Sequence, residues 1–283
     1  MRADRCRTVL EVGCGTGVLT QFLLERDDID LVYIVTPWQK HVPMAVYAMT
    51  AYGICFPAGS VSATLVPLLL ILGSTQMIAA FKRSYQFEHV FKSAFCIGLL
   101  PMLYAPALPL VLIVPVTLVL YRRTLREAVV AAAGLLLPFF ICSVVWWGLG
   151  DSFGLMGHEL LAGTTLGEDT ALPALFGEKG VWSKVYIGLF AALTLCSAII
   201  ILRTLPSLRT RAKKIHIHFL WLLLLCLISL LLPGSTIASL GVLAVPCCVT
   251  VSAFFIRYRG WLPLAIYTVL TALMLYINLF PGV

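Results

Sequence analysis

The chain has 283 residues, of which 60% are hydrophobic and only 12% are charged. A soluble chain carries about 25% charged residues, so this composition excludes an ordinary water-soluble domain and makes the bilayer the expected solvent. The net charge of +7 is no nucleic-acid signature, because the Lys and Arg residues sit in short turns between apolar runs and not along one helix face. The nine cysteines show no CxxC spacing, and seven of them lie in apolar runs where the thiol acts as a small hydrophobe. No disulfide framework and no metal site are expected.

Residues 1–40 differ in kind from the rest. Residues 8–20, TVLEVGCGTGVLT, read as a strand, a glycine turn and the start of a helix running to about Arg26, and Leu31–Val35 is a second short strand. Glu11 and the glycines interrupt what would be the apolar core of a secretory signal. The run Glu11-Val-Gly13-Cys-Gly15-Thr-Gly17 resembles the first motif of class I S-adenosylmethionine-dependent methyltransferases. That resemblance implies glycines that let the backbone approach the cofactor and an acid that holds the turn. It makes Glu11, Gly13, Gly15 and Gly17 candidate cofactor-binding residues, with S-adenosylmethionine expected only if the motif works. Val18 breaks the G-x-G-x-x-G dinucleotide pattern, the acid expected after the second strand is missing, and apolar sequence begins near Val42. Residues 1–40 therefore read as a cytoplasmic segment or a piece of a larger domain, and 41–283 as an integral membrane domain.

From Val42 onward nine apolar segments follow: 42–57, 61–81, 93–104, 107–121, 128–149, 182–202, 215–233, 236–256 and 261–279. Most reach the roughly 20 residues that a 30 Å hydrocarbon core demands. Segments 42–57 and 93–104 are short and broken by proline, so neighbouring protein must satisfy the backbone groups they free. The expected fold is all-α, a polytopic transmembrane helix bundle of eight or nine segments.

Charge then orients the chain. One Arg at a helix centre costs about 2.5–3.5 kcal/mol, so Arg122, Arg123 and Arg126 mark a turn at an interface. Lys82, Arg83 and Lys92 mark another turn, Arg203, Arg209, Arg211, Lys213 and Lys214 a third, and Arg257 with Arg259 a fourth. Strict alternation puts all four on one side, which the positive-inside rule makes cytoplasmic together with the N-terminus. The turns at 57–60, 105–106 and 233–236 and the loop 150–181 then lie on the far side, with Trp146, Trp147, Trp182 and Trp261 as interfacial anchors.

Few residues in the spans carry chemistry. Every Lys, Arg, Asp and Glu beyond Val42 lies in or next to a turn, which argues against a proton relay built on buried carboxylates. A carrier would have to use Thr250, Ser252 or Ser74-Thr75-Gln76, although hydroxyls in spans more often bond to their own helix. The loop 150–181 holds the far-side acid–base candidates Asp151, His158 and Glu159, with Glu168 and Asp169 beyond, in a spacing that matches no catalytic or metal template. Its residues 153–161 read as a helix lying on the membrane. His216 and His218 fall on different helix faces and read as a helix start in the headgroup region.

Residues 85–151 combine a basic turn, a short SAF-x-IG-L segment, a Tyr-x-Pro break, Arg-x-x-Leu-Arg and a Gly-Leu-x-x-Pro-Phe span ending at Asp. With 203–256 they resemble a domain-of-unknown-function family of polytopic inner-membrane proteins of Gram-negative bacteria. That resemblance covers most of 60–256 and implies architecture and an inner-membrane location but no activity, and a role in envelope biogenesis or in a membrane assembly is a separate expectation for the chain. The proline-broken segments also look like the membrane halves of polyprenyl-phosphate-dependent glycosyltransferases and polymerases, although the loop 57–60 lacks the acid those enzymes carry there. Membrane lipid and other membrane proteins are the expected partners, and nucleic acid is not.

Overall fold

The computed structural model describes residues 8–11, 31–34, 37–54, 61–80, 87–165, 181–208, 210–232, 234–235, 238–257 and 261–279. Near the N-terminus, β1 (Thr8–Glu11) and β2 (Leu31–Ile34) pair in parallel, with Thr8 opposite Leu31 and Glu11 opposite Ile34. Ten α-helices follow among the described residues: α1 (Pro37–Ile54), α2 (Val61–Ala80), α3 (Phe87–Leu103), α4 (Ile113–Leu120), α5 (Leu125–Gly148), α6 (Leu155–Thr165), α7 (Val181–Thr204), α8 (Thr210–Leu231), α9 (Ala238–Arg257) and α10 (Trp261–Leu279). A 3-10 helix, Ala105–Leu112, leads directly into α4. The helices form a bundle, and each of the nine apolar segments read from the sequence is helical over most of its length.

Four stretches are long and apolar enough to cross a membrane: Leu125–Gly148, Val181–Ser207, Ala212–Leu231 and Ser239–Ile256. Thr64–Ala80, Ala105–Leu120 and Pro263–Leu279 are apolar but shorter, so length alone supports four spans and not the eight or nine expected. The described helix α3 begins at Phe87, six residues ahead of the expected apolar segment, and its first two turns carry Glu88 and Lys92.

Helix α9 is the centre of the bundle. Of the span Ser239–Ile256, 72% is buried, against 22% of Leu125–Gly148. One side of α9 gives Val242 and Val245 to a core built with α2, α3, the 3-10 helix, α4 and α8. The other side gives Cys247, Val251 and Phe255 to a core shared with α1, α7 and α10. The outward faces of α5 and α7 stay apolar and exposed, with Leu136, Phe140, Leu195 and Ile199 among them. Outward apolar side chains are what lipid-facing helices require.

Proline decides the shape of the 105–112 segment. A 3-10 helix bonds each carbonyl to the N–H three residues on, and the residue three on from Pro106 is Pro109, which has none. Ser229 of α8 fills the gap, its Oγ donating to the Pro106 carbonyl at 2.6 Å. Similar hydroxyl bonds join other helices. Ser93 Oγ donates to the Gly73 carbonyl at 2.7 Å, and Tyr186 OH donates to the Met49 carbonyl at 2.9 Å.

Helices α3 and α5 approach so closely that only glycine fits at two positions. A Cβ on Gly98 would lie 2.7 Å from the Leu135 carbonyl oxygen, and one on Gly134 would lie 2.9 Å from the Phe91 carbonyl oxygen and from Ala94 Cβ. Small residues let helix backbones meet and gain dispersion contact where hydrocarbon supplies no hydrophobic drive between helices. Gly98→Val is therefore expected to destabilise the detergent-solubilised protein by about 1–3 kcal/mol, the cost of an overpacked core. Gly188→Ala, where a Cβ meets nothing within 4 Å, should leave the unfolding temperature unchanged in the same scan.

Candidate functional site

The polar chemistry of the described bundle collects at one end, and the turn between α4 and α5 builds it. Helix α4 closes with the N–H of Arg123 bonded to the Leu118 carbonyl and that of Arg122 to the Val119 carbonyl, both at 3.0 Å. This is a Schellman closure, which needs a left-handed residue at the position after the cap. Gly150 serves that purpose at the end of α5, with φ of 103°, but at the end of α4 the residue is Arg122, with φ of 53°. A side chain there costs about 1–2 kcal/mol.

The closure turns Arg123 back into the bundle. Its guanidinium donates through one nitrogen to the Ala80 carbonyl at 2.9 Å, at the end of α2, and through the other to Glu127 Oε1 at 3.1 Å. The other oxygen of Glu127 accepts the Thr124 N–H at 3.4 Å, so one carboxylate both caps α5 and holds the Arg123 side chain. Glu127 is only 1% exposed. The expectation that charge stays at turns holds here, but this charge is sealed inside the turn and not laid on the surface.

Helices α4 and α8 run antiparallel in one register, and rungs one turn apart join them. Lys214 Nζ lies 5.2 Å from the centre of the Tyr121 ring. One turn deeper, Thr117 Oγ1 is 3.0 Å from His218 Nδ1. The Thr117 hydroxyl also meets the Ile113 carbonyl, and its single proton goes there, so His218 donates from Nδ1 and keeps a lone pair on Nε2. Nε2 is buried and has no hydrogen-bond partner, and the ring stands edge-on to Phe219. The sequence reading of His218 as a headgroup residue is thus corrected. Alternation put it on a different face from His216, and that face packs against α4.

His216 faces a different space. It lines a cleft of about 280 Å³ with Ile200, Thr204, Ala253 and Ile256, between the basic turn 203–214 and the end of α9. Helices α7 and α8 each pack on α9, which forms the floor of this cleft. The contacts from Ala80 to Arg123, from Tyr121 to Lys214 and around this cleft bring the ends next to all four basic turns to one end of the bundle. The Pro106–Ser229 bond and the packing of α6 on α5 and the 3-10 helix mark the opposite end.

The other candidates divide plainly. Asp151, His158 and Glu159 are all exposed, Asp151 in the turn after α5 and the other two on α6. A helix forms where one was expected at 153–161, as α6, starting two residues later and running on to Thr165. Among the described residues no three His, Cys, Asp or Glu side chains gather as metal ligands, and the six described cysteines are free thiols. Glu11 ends β1, while Gly13, Gly15, Gly17, Glu168 and Asp169 lie outside the described residues. Thr250, Ser252 and Thr75 bond to carbonyls of their own helices, whereas Gln76 Oε1 reaches His89 Nδ1 of α3 at 2.7 Å. Ser74 Oγ is buried without a partner.

No family model matches the chain, and no solved structure matches it. A glycosyl hydrolase family 109 protein of Porphyromonas gingivalis is 70% identical over 27 residues, which are 10% of this chain and 6% of that protein. So short a stretch shows no family and brings no activity to this chain.

Two outcomes follow for the α4–α5 turn. Arg123→Ala strands the buried Glu127 carboxylate and should cost about 3–5 kcal/mol in thermal or denaturant unfolding, whereas pairing it with Glu127→Gln should recover much of that loss. Arg122→Gly relieves the left-handed strain and should raise stability by about 1 kcal/mol, with no change in fold by circular dichroism.

Proposed function

We propose that this chain is a multi-pass protein of the bacterial inner membrane, with eight or nine membrane segments and its N-terminus and four basic turns in the cytoplasm. Its role is that of a component in envelope biogenesis or in a larger membrane assembly. The observation that carries this reading is the gathering of the helix ends beside all four basic turns at one end of the bundle. The six segments between the first basic turn and the fourth have to alternate in direction for that to happen, and positive charge left on one side is the pattern that orients membrane proteins. The shorter helices α2, α3 and α4 complete the count as helices packed inside the bundle. In the 3-10 helix that leads into α4, the Pro106 carbonyl freed by Pro109 is met by Ser229.

A second reading rests on a separate observation. Parallel strands such as β1 and β2 require a crossover connection between them, and a crossover carrying Gly13, Gly15 and Gly17 fits the cofactor turn of a methyltransferase-like half-domain. Residues 8–34 are then the start of a doubly wound unit on the cytoplasmic face. The lipid-linked glycan enzyme, with Asp151, His158 and Glu159 as its acid and base, gains no support from three exposed side chains that share no hydrogen bond among the described ones.

Fusion reporters test the membrane reading. Alkaline phosphatase joined after Gly154 or after Val283 should be active, and joined after Thr210 inactive, with green fluorescent protein giving the reverse pattern. A phosphatase active after Thr210 would overturn the orientation.

A further inference from the structure

Charge in the second part of this chain has no answer within it. From Lys179 to Val283 there are nine Lys and Arg residues and not one Asp or Glu. The earlier basic turns are different, since Lys92 pairs with Glu88 at 2.5 Å and Arg123 with Glu127 at 3.1 Å. Those two carboxylates are therefore already engaged. The segments that build the 203–214 turn therefore bring no counter-anion of their own.

The cleft beside that turn states the shape of the missing partner. Its walls are apolar, with Ile200 and Ile201 on α7 and Ala253, Phe254 and Ile256 on α9. The hydroxyls that line it are spent, because Ser197 Oγ donates to the Leu193 carbonyl at 2.7 Å and Thr204 Oγ1 to the Ile201 carbonyl at 3.1 Å. A polar ligand would find no donor along its length. At the rim stands His216, half-buried, with Lys213 one turn before it on the same face of α8 and exposed. Arg203, also exposed, is one turn on from Ile200 along α7. Hydrocarbon below and unanswered positive charge above fit an amphiphile with an anionic head.

We propose that this cleft holds an acyl chain of an anionic phospholipid whose phosphate is met by Arg203, Lys213 and His216. The proposal rests on the membrane reading above, which puts this end of the bundle at the cytoplasmic leaflet. The lipid supplies a counter-charge that residues 179–283 lack, and its chain fills the gap between α7 and α8. An anchored lipid there would join two helices that otherwise meet through α9.

Native mass spectrometry of the full chain released from mild detergent, titrated with phosphatidylglycerol or with phosphatidylcholine of the same acyl chains, tests this. Wild-type protein should retain phosphatidylglycerol in preference, and millimolar inorganic phosphate should not displace it. Arg203→Gln with Lys213→Gln should weaken phosphatidylglycerol binding at least about fivefold and leave phosphatidylcholine unchanged. Ile200→Trp and Ala253→Leu fill the cleft from opposite walls with every charge kept, and each should lower retention to the phosphatidylcholine level. Two walls are used so that a misfolded variant, seen in its unfolding temperature, leaves the other to decide. Equal retention of both lipids by wild type, or full retention in a folded cleft-filling variant, overturns the site. A chain that needs no detergent to stay in solution would instead overturn the membrane reading itself.

Discussion

A carbonyl oxygen inside hydrocarbon has to find a donor, and much of this structure follows from that demand. Pro109 removes the N–H that the Pro106 carbonyl would use, and Ser229 replaces it from another helix. The carbonyl of Ala80, left over at the end of α2, is taken by Arg123. Each substitute donor, Ser229 on α8 and Arg123 in the α4–α5 turn, comes from a distant part of the chain, so satisfying the backbone also sets which elements are neighbours. The proline-broken stretch between α3 and α4 is for this reason a fixed point of the bundle and not a loose connection.

The same reasoning explains why a strained residue persists at Arg122. A glycine there would close α4 at lower cost, as Gly150 closes α5. The closure carries the next residue, Arg123, inward to where Ala80 and Glu127 wait, and Thr124 and Glu127 then start α5. One four-residue turn ends a helix, begins another and ties down a third. Charge inside such a turn costs much to break and little to keep once every proton and lone pair has a partner.

The basic end of the bundle has two unlike halves. Around α2–α5 two of the cations, Lys92 and Arg123, have a carboxylate beside them. Around α7–α9 Arg203 and Lys213 are exposed next to an apolar cleft, with no acidic residue in the last 105 positions from Lys179. Buried His218 divides the two, its Nδ1 bound to Thr117 and its Nε2 still holding an unused lone pair.

The apolar segments, their order and the four basic turns were legible in the chain, because runs of Leu, Val and Ile and the cost of a guanidinium in hydrocarbon are local properties. Segment ends came within a few residues of the helices found. The asymmetry of charge was equally readable, as a count of acids and bases needs no coordinates. Only the tertiary structure decided which of two alternating histidines would be buried, which serine would meet a proline's carbonyl, and that Gly98 and Gly134 mark the contact between α3 and α5. Those outcomes depend on residues over a hundred positions apart, or on the distance between two backbones, and a hydrophobic pattern carries no information about either.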